Sequence, residues 1–431
     1  MVRNVADPGA PVLTLGRRTA IGTAGHSLAA VDVVGLTAPV LAEVALLATP
    51  LELPIDDLIL GNCLGPGGNV ARVSGLAAGL GPAVPGVTVD RQCGSGLDAV
   101  LQAASRVRAG DARLILAGGA ESASTAPWRF WPPTGSQDTH SQDTGSQDTH
   151  SQDTGSQDTH SQDTGSQDTD SRRTPEPVRY TRAPFAPPGF PDPDMGQAAD
   201  ALAAARGISR ARQDDYAAHS HARTVEAQQA GVFKPEIVAV QDISLDARPR
   251  PGMTAARLAR LRPSFGADGT ATAGNSCGIS DGAAVLAVTT AAAATAAGLD
   301  HLRIIATAIA AGDPALPGAA PAPAVRRLLD RHAATGRGLM LADIGAFEIT
   351  EAFASVVLAV VDELGIDEDL VCTEGGAIGL GHPWGASGTI LLLRLASRML
   401  GPDGPRFGLA ACAIGGGQGL AMLVERGTIG G

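Results

Sequence analysis

The sequence lacks the features that would place a protein in a membrane or export it. No uninterrupted apolar run is long enough to span a bilayer. The N-terminal stretch MVRNVADPGAPVLTLGRR has charges and prolines but no apolar core followed by a small-residue cleavage site, so no secretory signal is visible. The five cysteines show no CxxC spacing, which argues against a disulfide framework or a zinc site. We therefore expect a cytoplasmic protein with no membrane partner and no metal.

An excess of positive charge is also missing. The formal net charge of −12 disfavours a nonspecific nucleic-acid binder, and we expect no nucleic-acid partner. The chain of 431 residues is 44% hydrophobic, which is enough to bury one or two substantial cores. Composition thus favours a soluble globular protein.

One segment cannot form a core. Residues 136–169 hold seven SQDT units separated alternately by His and Gly, with no aliphatic or aromatic residue. Ordering such a backbone costs roughly 1 to 2 kcal/mol per residue, and no apolar burial offsets that cost. Metal binding by His140, His150 and His160 is the functional alternative. We predict a disordered, solvated repeat instead.

Outside this tract, the sequence alternates between strand-like and helix-like segments. Helical patterns at 40–48 and 94–107 are followed by LILAGG at 114–119, a predicted buried strand. The alternation resumes after about residue 280, with LRIIATAIA as a strand and FGLAACAIGGGQGLAMLVE as a closing hairpin. The pattern predicts two α/β halves with a largely helical region between them.

A cysteine and a histidine carry the chemistry. Cys93 in VDRQCGSGLDAV comes just before an apolar-periodic run, which predicts a thiol at the first turn of a helix. The helix N-terminus would lower its pKa from about 8.5. His382 lies in the glycine-rich stretch GGAIGLGHPWGASG, which lets backbone approach a ligand closely. A Cys and a His far apart in sequence suggest covalent catalysis with Cys93 as the nucleophile.

These motifs stand in order with GNCLGPGGNVAR at 61–72, TAGNSCGISDGAA at 272–284, EITEAFA at 348–354 and GGGQG at 415–419. The chain resembles the thiolase family over nearly its whole length, except for about residues 130–190. The resemblance implies a five-layer α/β fold of two βαβαβαββ halves with a helical cap or loop domain. It assigns 1–120 and 281–300 to the N-terminal half, 121–280 to the cap with the repeat, and 301–431 to the C-terminal half. It also implies a homodimer.

The resemblance implies a substrate as well, a coenzyme A thioester, with no permanently bound cofactor. Cys93 would attack the thioester, and His382 would activate the cysteine and donate a hydrogen bond to a thioester oxygen. The N–H of Gly415, with that of Cys93, would form an oxyanion hole, and Thr350 would border a second one. The candidates for binding coenzyme A are Ser264, Phe265, Ala273 and Cys277.

The active site departs from the family pattern at several positions. Thr350 replaces an asparagine that holds a water, and Cys277 stands in place of a serine. The second catalytic cysteine of the family, in the pattern CxGGG, falls on Ala413, with Cys412 one residue earlier. Because strand side chains alternate between faces, Cys412 should point away from the face that Ala413 occupies. We expect Cys412 to be a buried packing thiol.

The missing cysteine is the acid/base that moves a proton at the α-carbon of the substrate, and such a loss typically costs about 10²- to 10⁴-fold. Acylation of Cys93 needs only Cys93, His382 and backbone donors. The sequence therefore predicts an acyltransferase that forms S-acyl-Cys93 from an acyl-CoA and passes the acyl group on, with or without carbon–carbon bond formation. The alternative is a catalytically degenerate thiolase homologue that acts as a scaffold or partner subunit.

Overall fold

The computed structural model of the protein describes residues 7–133, 176–336 and 338–427, so the SQDT tract and its three histidines lie outside the described residues. The strands are β1 (Pro11–Thr19), β2 (Gly22–Thr23), β3 (Asp57–Gly61), β4 (Val87–Val89), β5 (Leu114–Ser122), β6 (Arg129–Trp131), β7 (Val178–Tyr180), β8 (Ile237–Val238), β9 (Ser280–Thr290), β10 (Leu302–Ala311), β11 (Ala346–Ile349), β12 (Phe407–Ile414) and β13 (Gln418–Arg426).

The helices are α1 (Val33–Leu47), α2 (Val70–Ala77), α3 (Ser95–Ala109), α4 (Met195–Arg206), α5 (Arg210–Gln229), α6 (Ala255–Leu258), α7 (Ala291–Ala296), α8 (Pro321–Ala333), α9 (Ala354–Leu364), α10 (Ala377–Leu380) and α11 (Trp384–Met399). The strand LILAGG and the closing hairpin are both found where the sequence predicts them.

Most of the strands form one sheet with the order β11-β12-β13-β10-β1-β9-β5-β3-β4, in which β2 pairs with β9 and β8 with β1. The sheet has two halves, which join where β1 and β10 pair at Val12↔Arg303 and Leu13↔Leu302. The N-terminal half runs β1-α1-β3-α2-β4-α3-β5-β9. The C-terminal half runs β10-α8-β11-α9-α11-β12-β13, with an isolated bridge between Phe347 and Val371 after α9. The predicted thiolase-like α/β fold is confirmed.

Three hydrophobic clusters define the layers. In the central cluster, Leu97 of α3 and Leu395 of α11 pack with residues from both halves of the sheet, among them Ile115 and Met422. The outer face of the N-terminal half is covered by α1 and α2, and the outer face of the C-terminal half by α8 and α9. The order is therefore helices, sheet, central helices, sheet, helices.

The central helices approach each other through glycines. A Cβ on Gly96 of α3 would lie 2.6 Å from the carbonyl oxygen of Gly385 in α11, and a Cβ on Gly388 would collide with the backbone of Leu97. Only residues without a Cβ allow this separation. As a result, the N-terminal ends of α3 and α11 lie against each other, and Cys93 and His382 come directly before these two ends.

The helices of the intervening region share the core of the C-terminal half, because Leu202 of α4 and Tyr216 of α5 belong to the same cluster as Val357 of α9. By packing, the residues up to Pro127 and those from Pro184 onward form one compact unit, and Trp128–Ala183 form another. In the latter, β6 and β7 pair antiparallel and the rings of Trp131 and Tyr180 stack at 4.6 Å. The division at residues 120, 280 and 300 stays a prediction.

One helical stretch, Val33–Leu51, is long and apolar enough to cross a membrane by length and composition. The sequence shows no uninterrupted apolar run of that length, so this finding differs from the expectation. The charged content of the stretch is low because Glu43 is the single charged residue of α1. Its buried side chains, among them Leu36, Val40 and Leu41, pack against the N-terminal half of the sheet. Core helices of soluble proteins share these properties.

Candidate active site

Cys93 lies in a sharp turn between β4 and α3. The preceding residue, Gln92, has a φ of 47°, in the left-handed region that side chains other than glycine seldom adopt. The hydroxyl of Ser95 fixes this turn, since it accepts from the Arg91 N–H at 2.8 Å and donates to the Gln92 carbonyl at 2.7 Å. The helix begins at Ser95 with Gly94 as its cap, so Cys93 precedes the first turn instead of lying in it.

The environment of Cys93 favours the protonated thiol. Burial raises the pKa of Cys93 well above its usual range, and the thiols of Cys412 and Cys277 add to this effect. Its own backbone N–H opposes the shift. The predicted low pKa is therefore wrong, because desolvation of the thiolate outweighs the attraction of the helix end. Attack by this sulfur requires a base that accepts its proton.

His382 has the properties of that base. Its Nδ1 lies 2.6 Å from the hydroxyl of Ser387, which donates its single hydrogen to the Pro383 carbonyl at 3.0 Å. With the hydroxyl hydrogen of Ser387 on the Pro383 carbonyl, we assign the hydrogen between the two side chains to Nδ1, which leaves a free lone pair on Nε2. Nε2 is buried with no hydrogen-bond partner among the described residues. Burial lowers the pKa of His382 to about 4, so the ring is neutral near pH 7.

The structure places Cys93 and His382 at adjacent helix ends but forms no hydrogen bond between them. A buried carboxylate links the neighbouring backbone. The side chain of Glu121 accepts from the N–H groups of Cys63 at 3.1 Å, Leu64 at 3.0 Å and Gly385 at 3.1 Å. Burial raises the pKa of Glu121 to about 7. Glu121 thus ties the loop after β3 to the first turn of α11.

Cys412 is buried, as predicted, and it lies directly against Cys93. Its thiol donates to the carbonyls of Cys93 at 3.3 Å and Ala413 at 3.2 Å, and burial raises its pKa to about 12. Ala413 packs with the cluster on the other face of β12, as the strand alternation predicts. Because the proton of Cys412 is directed at backbone carbonyls, this thiol is poorly placed to act as an acid/base on a substrate.

Thr350 and Gly415 offer unused polar groups at the same site. Thr350 follows β11, and its buried hydroxyl forms no hydrogen bond of ordinary geometry among the described residues, although it lies close enough to the Cys412 thiol to lower the pKa of that thiol. Gly415 begins the hairpin loop between β12 and β13, and its N–H has no acceptor in the described part of the chain. A Cβ on Gly415 would lie 2.6 Å from the ring of Phe185, so this ring covers the loop. The sequence gives only a general signal for Phe185, the proline- and aromatic-rich stretch around it.

The four candidates for binding coenzyme A lie in neighbouring loops. Ser264, Phe265 and Ala273 are exposed, whereas Cys277 is half-buried. The ring of Phe265 packs edge-on against that of Phe353, with the ring centroids 5.8 Å apart. The Cys277 N–H donates to the Ala352 carbonyl at 2.9 Å. These contacts join the coenzyme A candidates to the loop that carries Thr350. Among the described residues, no group of three or more His, Cys, Asp or Glu side chains could hold a metal ion.

Comparisons with known proteins agree with this geometry. The model of the thiolase C-terminal domain matches residues 300–426, and that of the thiolase N-terminal domain matches residues 12–167 and 188–292. The chain belongs to the thiolase family.

An acetyl-CoA acetyltransferase of Escherichia coli is 38% identical to this thiolase, over 96% of this chain and 98% of the relative. A beta-ketoadipyl-CoA thiolase of Escherichia coli is 37% identical over 95% and 98%. A crystal structure of the Bacillus anthracis acetyl-CoA acetyltransferase covers 97% of this chain and 98% of its own, with a TM-score of 0.78 and 31% identity. These relatives support acyl transfer of the thiolase type.

Proposed function

We propose that this protein takes an acyl group from an acyl-CoA onto Cys93 and then passes it to an acceptor. The observation that carries the proposal is the free Nε2 of His382, a buried neutral base whose tautomer is set by Ser387. Acetyl-CoA and beta-ketoadipyl-CoA appear in the names of its relatives, which supports a thioester of coenzyme A as the acyl donor.

In the acylation step, the Cys93 sulfur attacks the carbonyl carbon of the thioester while its proton moves to Nε2 of His382. The bond from carbon to the coenzyme A sulfur then breaks, and the leaving thiolate takes the proton from His382. The products are S-acyl-Cys93 and free coenzyme A. A protonated Cys93 beside a neutral His382 is the starting state that this step requires.

The negative charge on the carbonyl oxygen needs hydrogen-bond donors. The backbone N–H groups of Cys93 and Gly415 are the proposed donors, and a single such donor typically contributes about 2.7 to 4 kcal/mol to transition-state stabilisation. On the opposite side, we assign the buried hydroxyl of Thr350 to binding a water near the second substrate. Neither role needs a cysteine at position 413.

The second half-reaction is where this chain differs from its family. Condensation and thiolysis both move a proton at the α-carbon, and Ala413 has no group that could do so. Exchange of the acyl group between thiols needs no such proton transfer. We therefore propose a fast acyl exchange and a slow thiolysis, in a cytoplasmic homodimer.

Intact-protein mass spectrometry after incubation with a panel of acyl-CoA thioesters tests the proposal. We expect one added acyl group on the wild-type chain, mapped to Cys93, and none on Cys93→Ala. Cys372→Ala is a suitable control, because this thiol is buried and donates to the Ile349 carbonyl at 3.4 Å. A chain that no thioester labels would instead favour the degenerate scaffold.

A further inference from the structure

The hairpin loop between β12 and β13 consists of three consecutive glycines, residues 415–417. Glycine has more backbone freedom than any other residue, and it offers no side chain that could hold the loop. The last carbonyl of the loop accepts from the Gly312 N–H at 2.8 Å, whereas its first N–H has no acceptor in the described part of the chain. The position of this first N–H therefore depends on the residues that flank the loop, Ile414 and Gln418.

Both flanking residues contact the turn that carries Cys93. Oε1 of Gln418 accepts from Nη1 of Arg91 at 2.9 Å, and this orientation of the amide is required because arginine has no acceptor atom. A Cβ on Gly94 would lie 2.4 Å from Cδ1 of Ile414, so the turn packs directly against this side chain. Arg91 and Gly94 thus stand on either side of Cys93, and their partners stand on either side of the glycine loop.

The side chain of Arg91 is itself held by α3. Its Nε lies 3.1 Å from Oδ1 of Asp98, whose carboxylate is only 5% exposed and also accepts from Gln102 at 2.8 Å. The backbone N–H of Arg91 donates to the hydroxyl of Ser95 at 2.8 Å, the same hydroxyl that fixes the turn. The guanidinium therefore links the helix that follows Cys93 to the strand that follows the glycine loop.

We propose that Arg91 and Gln418 are positioning residues that hold the N–H of Gly415 beside that of Cys93, so that both donors meet one carbonyl oxygen. The proposal rests on the acyl transfer and the oxyanion hole described above, and it adds the contact that sets the spacing of the two donors. Neither side chain touches the substrate in this role. A misplacement of about 1 Å costs up to about 10²-fold in rate, and loss of a whole donor costs about 10²- to 10³-fold.

The test replaces Gln418 and measures acylation of Cys93 by rapid quench over a range of acetyl-, butyryl- and hexanoyl-CoA concentrations. Gln418→Met removes the acceptor, so the rate at saturation should fall by about 10- to 10²-fold while the half-saturating concentration stays within about twofold. Gln418→Glu keeps an acceptor for Arg91 and should retain most of the rate. Arg303→Met is the matched control, because Arg303 pairs with Glu425 at 3.2 Å near the other end of β13, and it should leave the rate unchanged.

Infrared spectroscopy of the acyl-enzyme gives a readout that a purely structural role would not change. Hydrogen bonds to a carbonyl oxygen lower its stretching frequency, so an isotope-labelled carbonyl on Cys93 reports how well the two N–H groups are placed. We expect a higher frequency in Gln418→Met than in the wild-type chain, and a frequency near that of the wild type in Gln418→Glu. Adding Gln418→Met to Arg91→Met should slow acylation by no more than about threefold, because both substitutions remove the same contact.

Either of two results would overturn the proposal. One is acylation of Gln418→Met within about twofold of the wild type. The other is slow acylation with an unchanged carbonyl frequency, because this would leave the oxyanion hole intact. If no thioester acylates wild-type Cys93, the acyl-transfer function fails, and amide hydrogen exchange of residues 415–417 then decides about the contact. Faster exchange in Gln418→Met than in the wild type and Arg303→Met supports the positioning role, and equal exchange contradicts it.

Discussion

Replacing Ser387 with alanine isolates the part of the site that sets the tautomer of His382. The Ser387 hydroxyl is the partner of Nδ1, and it also donates to the Pro383 carbonyl. In Ser387→Ala, the buried Nδ1–H loses its acceptor, which costs about 1 to 3 kcal/mol unless the ring rotates or the proton moves to Nε2. A proton on Nε2 removes the base that Cys93 needs. At about 1.4 kcal/mol per tenfold in rate, we expect acylation to slow by roughly 10- to 100-fold.

The assay is the rate of acyl-enzyme formation by rapid quench and mass spectrometry, with thermal denaturation measured on the same samples. Ser387→Thr retains a hydroxyl and should keep most of the rate. The control variant is Thr37→Ala, which removes a buried hydroxyl that donates to the Val33 carbonyl at 2.5 Å. Both residues lie in α1, a helix of the outer layer. Thr37→Ala should affect stability alone. If Ser387→Ala acylates within twofold of the wild type while its melting temperature falls, Ser387 has only a structural role and the tautomer argument is refuted.

Three further predictions follow from other contacts. Because the pKa of His382 is about 4 and that of Cys93 lies well above its usual range, the acylation rate should be constant between about pH 5 and 8 and should fall only as the pH approaches 4. An inflection near pH 6.5 in the rapid-quench rates would contradict this. Ala413→Cys should raise thiolysis of a 3-ketoacyl-CoA by about 10²- to 10⁴-fold and leave acylation nearly unchanged, and a steady-state assay that finds no gain would show that a thiol at position 413 does not limit thiolysis. Glu121→Gln places an amide NH₂ against two backbone N–H donors, so urea denaturation should show that the free energy of unfolding falls by roughly 2 to 6 kcal/mol. A fall below about 1 kcal/mol would refute the assignment of Glu121 as the buried acceptor of these N–H groups.

The sequence predicts the two halves of the fold and the two central residues of the site, for a physical reason. Hydrophobic periodicity reports local structure, and the glycines around Cys93 and His382 mark the places where two helix ends must come close. The sequence does not predict the direction in which the pKa of Cys93 shifts. That shift depends on burial by β12 and by the loop that carries Cys277, and both are distant in sequence.

The position of Cys412 illustrates the same limit. Strand alternation predicts that Cys412 and Ala413 face opposite sides of β12, which the structure bears out. It does not predict which side holds α3, because that depends on how the two halves of the sheet enclose the central helices. The sequence does not single out Ser387 for a similar reason, since the significance of Ser387 lies in the two atoms that its hydroxyl contacts.

Exchange of labelled coenzyme A tests the central claim most directly. The wild-type chain is incubated with an acyl-CoA and isotopically labelled free coenzyme A, and the rate of label exchange is compared with the rate of 3-ketoacyl-CoA thiolysis by the same preparation. The exchange passes through S-acyl-Cys93 and moves no proton at the α-carbon. We predict an exchange that depends on Cys93 and His382 and exceeds thiolysis by about 10²-fold or more. Thiolysis at an ordinary turnover of roughly 1 to 10³ per second, matching the exchange rate, would contradict the account.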